Sequence, residues 1–257
     1  MPHALLFLVW LIAGSVQVQA QPRAPFASFD GEDLTMTSGT RLRRARLADV
    51  LRGRAKWRTV YDAGPAMIRR ADCLPPGFEI CLLALEQAGN DGTAIREVDL
   101  ASGTDVVGGF QMSSGPNRVA WYDGRHVMLA GDTGPGSLSD DREPRFVKLW
   151  RRGTAPVEAS TILALESGTT GLTPIFDVST GGLFHAATFR DDAGADALYH
   201  FGWQQNFTPS RLPGTFTFQT FFQGRTIALL GATWNGIPAG GLAAYPMAPL
   251  LGPARRT

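Results

Sequence analysis

The sequence predicts an all-β fold, a partial or small β-propeller of about four blades. Three observations support it. The chain of 257 residues contains 30 glycines and 17 prolines, more than the usual combined share of about 12%, which is typical of many short strands and turns. Short apolar runs recur between residues 59 and 248 in groups of three or four, about one group every 45 residues. No segment in that range reads as a crossover helix, so a βαβ sheet is not expected.

Four groups of runs with strand character follow one another along the chain. The first contains AMIRRADCL, EICLLALE and TAIREVDL, and the second contains RVAWYDG, RHVMLAG, RFVKLWRRG and EASTILAL. The third begins with TPIFDVSTGG and the fourth with FTFQTFFQG. Evenly spaced strands also occur in sandwiches, but grouping by three or four is typical of propeller blades. We therefore assign residues 59–248 to the blades.

The first twenty residues have the pattern of a secretory signal peptide. An apolar run from Ala4 to Ala13 is followed by small residues, and Val18-Gln19-Ala20 fits a small-x-small cleavage site. The run is shorter than the roughly 20 apolar residues that cross a bilayer, so it predicts export to the periplasm or the medium rather than an anchor. An apolar terminus of another kind is the alternative, since His3 stands where a Lys or Arg is expected.

Residues 21–58 differ from the rest and predict a basic N-terminal arm, partly helical or disordered. Residues 40–58 contain eight Lys or Arg and one acid, Asp49. Leu47, Val50 and Leu51 could form one stripe of a short helix. The arm would either bind an acidic partner or be a solvated lead-in. Residues 249–257 are assigned to a C-terminal tail. The formal net charge of +1 gives no reason to expect a nucleic acid or an anionic membrane as partner.

Cys73 and Cys81, the only cysteines of the chain, flank a proline–proline–glycine turn. In an oxidising compartment two thiols at this spacing are expected to form a disulfide. Neither cysteine has a second ligand at zinc-finger spacing, and a redox pair would be C-x-x-C. Buried reduced cysteines remain the alternative. The pair is expected to belong to the scaffold, across a hairpin of the first blade.

No other motif predicts chemistry strongly. His126, His185 and His200 are the histidines of the mature chain, and strand patterns surround the last two. The acidic stretch SDDREP lacks the spacing of a calcium loop, and GDTGPGS lacks the lysine of a P-loop. We therefore expect no cofactor, no metal site and no catalytic residue.

Several stretches of the chain resemble the propeller of bacterial prolyl oligopeptidase-family serine peptidases. They are KWRTVYD, ADCLPPGFEICLLALEQAGNDGTAIREVDLASG, VAWYDGRHVMLAGDTGPGSLSDDREPRFVKLWRRG and, less closely, FFQGRTIALLGATWNGIPAGGLAAYPM. The resemblance covers roughly residues 56–248 and is strongest from 72 to 153. It implies a propeller that caps an α/β-hydrolase domain, excludes large folded proteins, and serves a Ser–Asp–His triad that cleaves after proline.

The sequence departs from that family at the nucleophile. No serine of the chain has a glycine two positions earlier, so there is no G-x-S-x-G elbow, and no catalytic residue can be assigned by resemblance. We expect an exported propeller segment that is non-catalytic alone. The alternatives are oligopeptidase activity when a separate hydrolase domain docks, and a module that binds a peptide or protein. Closure as a small propeller, an open arc that self-associates through its edges, and a truncated gene product all stay open.

Overall fold

The computed structural model describes residues 26–164, 170–177, 184–190, 196–201, 207–210 and 216–246. Its strands form five antiparallel sheets that follow one another along the chain. Within the described ranges, one short helix and one 3₁₀ turn are the only helical elements. The predicted all-β class is therefore confirmed.

Sheet 1 lies in the segment predicted to be a basic arm. Its strands, in spatial order, are β1 (Ala27–Asp30), β2 (Asp33–Ser38), β3 (Arg41–Arg46) and β4 (Arg58–Asp62). Gly31 and Gly39 take φ angles of +65° in the turns that join β1 to β2 and β2 to β3, a conformation open to glycine without steric cost. The prediction of an arm is wrong for residues 27–58, because Leu42 and Arg44 of β3 are buried in packing between sheets.

The predicted helix of this segment is present but does not contribute to the core. α1 (Leu47–Leu51) follows β3 directly and buries none of its residues. Leu51 is 78% exposed. The apolar stripe that predicted the helix therefore lies outside the core.

Sheet 2 contains the predicted cysteine hairpin. Its strands are β5 (Met67–Cys73), β6 (Ile80–Glu86), β7 (Ala94–Asp99), β8 (Thr104–Asp105) and β9 (Gln111–Met112). The first four pair in chain order, and β9 pairs with β7 beside β8. A tight turn at Ser102-Gly103 joins β7 to β8, with Gly103 at a φ of +71°.

Sheets 3, 4 and 5 continue the same meander. Sheet 3 consists of β10 (Arg118–Trp121), β11 (His126–Ala130), β12 (Phe146–Arg151) and β13 (Ser160–Ala164), with a 3₁₀ turn at Pro156–Glu158 before the last strand. Sheet 4 consists of β14 (Thr170–Asp177), β15 (Phe184–Arg190), β16 (Asp196–Phe201) and β17 (Phe207–Ser210). Sheet 5 has three strands, β18 (Phe216–Phe222), β19 (Arg225–Leu230) and β20 (Leu242–Pro246).

Each sheet contacts the next one along the chain, as the blades of a propeller do. The contacts join β2 to β5, β6 to β10, β10 to β14 and β16 to β18. Among the described strands, sheet 5 makes no extensive contact with sheet 1. Sheets 2 to 5 are the four blades predicted for residues 59–248, and sheet 1 adds one more meander before them.

The joint between sheets 1 and 2 is built around Arg44, whose side chain is 3% exposed. Its Nε donates to Oγ1 of Thr35 at 3.1 Å, and its Nη2 donates to the backbone oxygen of Phe78 at 2.6 Å. Its Nη1 lies 3.3 Å from Oε1 of Glu79, which is half-exposed, and its Nη2 lies 3.7 Å from Oδ2 of the buried Asp30. An arginine of the segment predicted to be a basic arm therefore connects two sheets.

The joint between sheets 2 and 3 is built around Glu97, which is fully buried on β7. Arg152 donates to both carboxylate oxygens, at 2.6 and 2.7 Å, and the N–H of Phe110 donates to Oε2 at 2.9 Å. The Arg152 guanidinium lies 5.0 Å from the centre of the Phe110 ring. Trp121 and Trp150 pack edge-on against the same ring. A charged pair thus lies beside an aromatic core.

Two predicted segments, the signal peptide at residues 1–20 and the tail at 249–257, lie outside the described residues. Within the described ranges, no helix is long and apolar enough to cross a membrane.

Candidate functional site

The structure contains the predicted disulfide between Cys73 and Cys81. Cys73 ends β5 and Cys81 lies directly opposite it on β6. Cys81 is fully buried and Cys73 is 9% exposed. The seven residues between them form the loop that presents Phe78 and Glu79 to Arg44. The bond therefore closes the loop on which the sheet 1–2 joint depends, and its role is structural.

His126 is held by a local acid. Its Nδ1 lies 3.1 Å from both carboxylate oxygens of Asp123, three residues earlier in the same turn. Burial alone would raise the pKa of Asp123, but hydrogen bonds from the backbone of Arg125 and from His126 lower it below its ordinary value. The contacts of the described residues include no hydrogen bond from His126 to a serine. This arrangement orders the β10–β11 turn and is not a triad.

The other two histidines lie together in sheet 4 but outside the described side chains. His185 is on β15 and His200 is on β16, where His200 pairs with Ala186. In the backbone register, His185 is therefore one residue away from the position that pairs with His200 on the neighbouring strand. Ser137 is a buried serine. Its hydroxyl donates to the backbone oxygen of Gly134 at 2.7 Å and so stabilises the turn that contains both residues.

A small cavity lies where the first strands of sheets 2, 3 and 4 approach one another. Its volume is about 180 Å³. β5 contributes Arg70 and Asp72, β10 contributes Arg118, and β14 contributes Thr173. Asn117, directly before β10, is 6% exposed and also lines the cavity. We call this the inner cavity.

The charges of the inner cavity are paired. Nε of Arg70 lies 2.6 Å from Oδ2 of Asp72, and this carboxylate raises the pKa of Arg70 further above its ordinary value. Nη1 of Arg118 lies 2.8 Å from Oε2 of Glu143 and donates to the backbone oxygen of Leu172 at 3.2 Å. The cavity thus offers polar groups without a net charge, an arrangement suited to a neutral polar chain rather than to an ion.

The sequence did not single out these residues. Arg70, Asp72 and Arg118 stand in ordinary strand patterns, and no spacing in the sequence relates them. The one signal that could have found them is position, because each lies on the first strand of its group. Among the described residues, no group of three metal-ligating side chains is present.

Comparisons with known proteins agree with the fold. No family model matches the chain. An uncharacterized peptidase of Sinorhizobium fredii is 25% identical over 208 residues, which cover 71% of this chain and 27% of that protein. The chain therefore spans about a quarter of the length of this curated relative.

Several solved structures share the arrangement of sheets. A post-proline cleaving enzyme from Rickettsia typhi has a TM-score of 0.70 at 15% identity, over 91% of this chain and 38% of that one. A prolyl endopeptidase has a TM-score of 0.55 at 13% identity, over 85% and 35% of the two chains. An oligogalacturonate lyase in complex with manganese has a TM-score of 0.57 at 14% identity, over 88% and 62%.

The peptidase relative and the prolyl peptidase structures match this chain over only part of their own length. The resemblance predicted from the sequence is thereby confirmed: the chain is similar to the propeller region of prolyl oligopeptidase-type serine peptidases.

Proposed function

We propose that the chain is an exported propeller segment that contacts and filters peptide substrates for a prolyl oligopeptidase-type hydrolase domain, and that it is not catalytic alone. The inner cavity carries this proposal. Its small volume and paired charges would accept an extended peptide, whose backbone needs hydrogen-bonding partners, and would exclude a folded protein. The substrate class follows from the similar proteins, one described as post-proline cleaving and another as a prolyl endopeptidase.

A hydrolase domain is the partner that this function requires. No serine in the 257 residues has the G-x-S-x-G context of a nucleophile elbow, so the nucleophile would come from elsewhere. As an alternative, the chain gains oligopeptidase activity when a separate hydrolase domain docks to it. A peptide-binding module without any hydrolase is the second candidate, and the same polar cavity supports it.

Export is supported by the sequence of residues 1–20 and by the Cys73–Cys81 disulfide, since such bonds persist in oxidising compartments. The test is N-terminal sequencing of the protein recovered from the periplasm or medium of an expressing bacterium. We expect Gln21 as the first residue. Recovery in the cytoplasm with Met1 intact would contradict export.

The test of the peptidase proposal uses the purified chain and an internally quenched proline-containing peptide. We expect no turnover by the chain alone, and turnover only after a separately purified hydrolase domain of a related peptidase is added. Turnover by the chain alone that a serine-directed phosphonate abolishes would contradict the non-catalytic reading.

The role of the inner cavity is tested separately by binding. Fluorescence anisotropy of a labelled proline peptide should show weaker binding to Arg118→Met than to the wild type. Arg54→Met is the matched control, because Arg54 is 65% exposed and its ion pair among the described residues is with Asp49 of the same segment. Equal affinities for the two variants would remove the cavity from the proposal.

A further inference from the structure

A larger cleft lies between sheets 1 and 2, apart from the inner cavity. Its volume is about 740 Å³, within the range of roughly 300–1,000 Å³ of small-ligand sites. Tyr61 of β4, Arg96 of β7 and Asp105 of β8 form one wall. Asp91 in the β6–β7 connection and Arg142 in the β11–β12 connection also line it. We call this the sheet 1–2 cleft.

The wall of the cleft is ordered and its charges are matched. Tyr61 donates its hydroxyl to Oδ1 of Asp105 at 2.7 Å, and Nε of Arg96 lies 4.0 Å from Oδ2 of the same carboxylate. Burial and the Asp105 carboxylate both raise the pKa of Tyr61 above its ordinary value, so the phenol keeps its proton. Nη1 of Arg96 donates to the backbone oxygens of Ile95 and Met112. This wall has no charge left for a ligand.

Arg142 differs from the wall because its charge is unmatched. It is exposed and has a φ of +62°, in a turn held by its own N–H to the Ser139 oxygen and by the Glu143 N–H to Oγ of Ser139. In the described part of the chain, no acid lies within ion-pair distance of its guanidinium. The turn therefore orders the backbone from which this unpaired cation extends at the cleft.

Asp91 is the complementary group. It is exposed, and among the described residues no base lies within ion-pair distance of its carboxylate. The connection that carries it is fixed by Thr93, whose N–H donates to the oxygen of Gly115 at 2.7 Å. Gly92 has a φ of +80°, and a Cβ there would collide with the Gly115 backbone. Both charged groups therefore stand on ordered backbone, which reduces the entropy cost of binding.

From this arrangement we infer that the sheet 1–2 cleft binds short free peptides, with the C-terminal carboxylate on Arg142 and the N-terminal ammonium on Asp91. A ligand that carries both charges matches the two unpaired groups, while a singly charged ligand leaves one of them unmatched. The volume accommodates a peptide of a few residues. The site goes beyond the proposed function, because it involves neither the inner cavity nor a hydrolase domain.

The experiment is titration calorimetry of the full chain with the tripeptide Ala-Pro-Ala, its C-terminal amide and its N-acetyl form. We expect the free peptide to bind and each blocked form to bind about tenfold or more weakly, as loss of one charge-assisted hydrogen bond predicts. Arg142→Gln should lower affinity for the free peptide to that for the amide, and should leave affinity for the amide unchanged. Asp91→Asn should do the same with respect to the acetylated form.

Arg125→Gln is the matched control, because Arg125 is also an exposed arginine in a tight turn but does not line the cleft. Affinity equal to that of the wild type is expected. The inference is overturned if the amide binds as tightly as the free peptide, if Arg125→Gln weakens binding as much as Arg142→Gln does, or if no tripeptide binds at millimolar concentration. None of these outcomes affects the turnover test, so failure here is distinguishable from failure of the proposed function.

Discussion

The two joints that flank sheet 2 use the same residue types in opposite ways. At the sheet 2–3 joint the fully buried group is an acid, Glu97, and Arg152 reaches it from the surface with two hydrogen bonds. At the sheet 1–2 joint the central buried group is a base, Arg44, whose ionic partners are the half-exposed Glu79 at 3.3 Å and the buried Asp30 at 3.7 Å. The first joint therefore depends on one arginine, whereas the second spreads its contacts over several acceptors.

This difference sets how each joint should respond to substitution. A buried carboxylate that loses its only cation is left without compensation, which is costly in a protein interior. The groups that lose Arg44 are compensated in part, because water reaches Glu79 and the Asp30 carboxylate keeps the hydrogen bond from Ser28. The sheet 2–3 joint should thus be the more fragile of the two.

The largest effect is expected from Arg152→Met. The substitution keeps most of the apolar stem but leaves Glu97 buried without its cation, and it removes the contact with the Phe110 ring. We expect the free energy of unfolding to fall by about 3 kcal/mol or more, measured by urea denaturation. Arg151→Met is the control, since Arg151 is its exposed neighbour, and should change stability by less than about 0.5 kcal/mol.

A double substitution makes this prediction more specific. Arg152→Met alone leaves the Glu97 carboxylate buried without its cation. Adding Glu97→Gln removes that unpaired negative charge. We expect the double variant to be less destabilised than the sum of the two single variants, a coupling that only an interacting pair produces. Additive losses would show that Glu97 and Arg152 act independently and would remove the basis of the comparison.

The next effect concerns the disulfide that supports the sheet 1–2 joint. Cys73→Ala with Cys81→Ala opens a loop of about nine residues, which in the chain-entropy model lowers the free energy of unfolding by about 2–3 kcal/mol. Chemical denaturation measures this loss. Titration of thiols in the unfolded, unreduced wild type should find none, and two free thiols would contradict the bond.

Sequence reasoning identified the strands of sheets 2 to 5 because their signals are local. The turn residues Pro75, Pro76 and Gly77 and the apolar runs of β6 and β7 lie within a few positions of the strands and turns that they predict. It missed sheet 1 because β3 reads Arg41-Leu42-Arg43-Arg44, which looks like a charged surface segment. Only the fold reveals that Phe78, 34 residues later, accepts from one of those arginines.

The candidate sites were beyond sequence reasoning for the same reason. Arg70 and Arg118 meet at the inner cavity, and Asp91 and Arg142 meet at the sheet 1–2 cleft, through the stacking of sheets and not through any spacing. The unmatched charge of Arg142 is visible only when its neighbours are known. Sequence reasoning could identify the disulfide because both cysteines lie in one hairpin.

Arg44→Met tests the sheet 1–2 joint directly. It leaves the Phe78 oxygen without its donor and removes the cation 3.7 Å from the Asp30 carboxylate, which keeps the hydrogen bond from Ser28. We expect a loss of about 2 kcal/mol in the free energy of unfolding, smaller than for Arg152→Met. Arg46→Met is the control because Arg46 lies on the same strand and is 70% exposed. A loss for Arg44→Met that exceeds the loss for Arg152→Met would reverse the order proposed for the two joints.

The smallest effect is a pH dependence at the sheet 1–2 joint. Burial raises the pKa of Asp30 above its ordinary value, although hydrogen bonds from Thr35 and Ser28 and the charge of Arg44 lower it. The folded state therefore holds this proton to higher pH than the unfolded state does. The resulting stabilisation is fully present below the unfolded pKa and is lost as pH rises through the folded pKa.

Asp30→Asn removes this dependence, because an amide does not titrate. We expect the variant to gain stability relative to the wild type as pH rises from about 4 towards neutrality, by less than any of the three losses above. Urea unfolding at a series of pH values measures the difference. If the free energy of unfolding changes with pH in the same way for both proteins, the Arg44 guanidinium compensates the buried carboxylate fully. The two joints would then differ in exposure but not in how well their charges are matched.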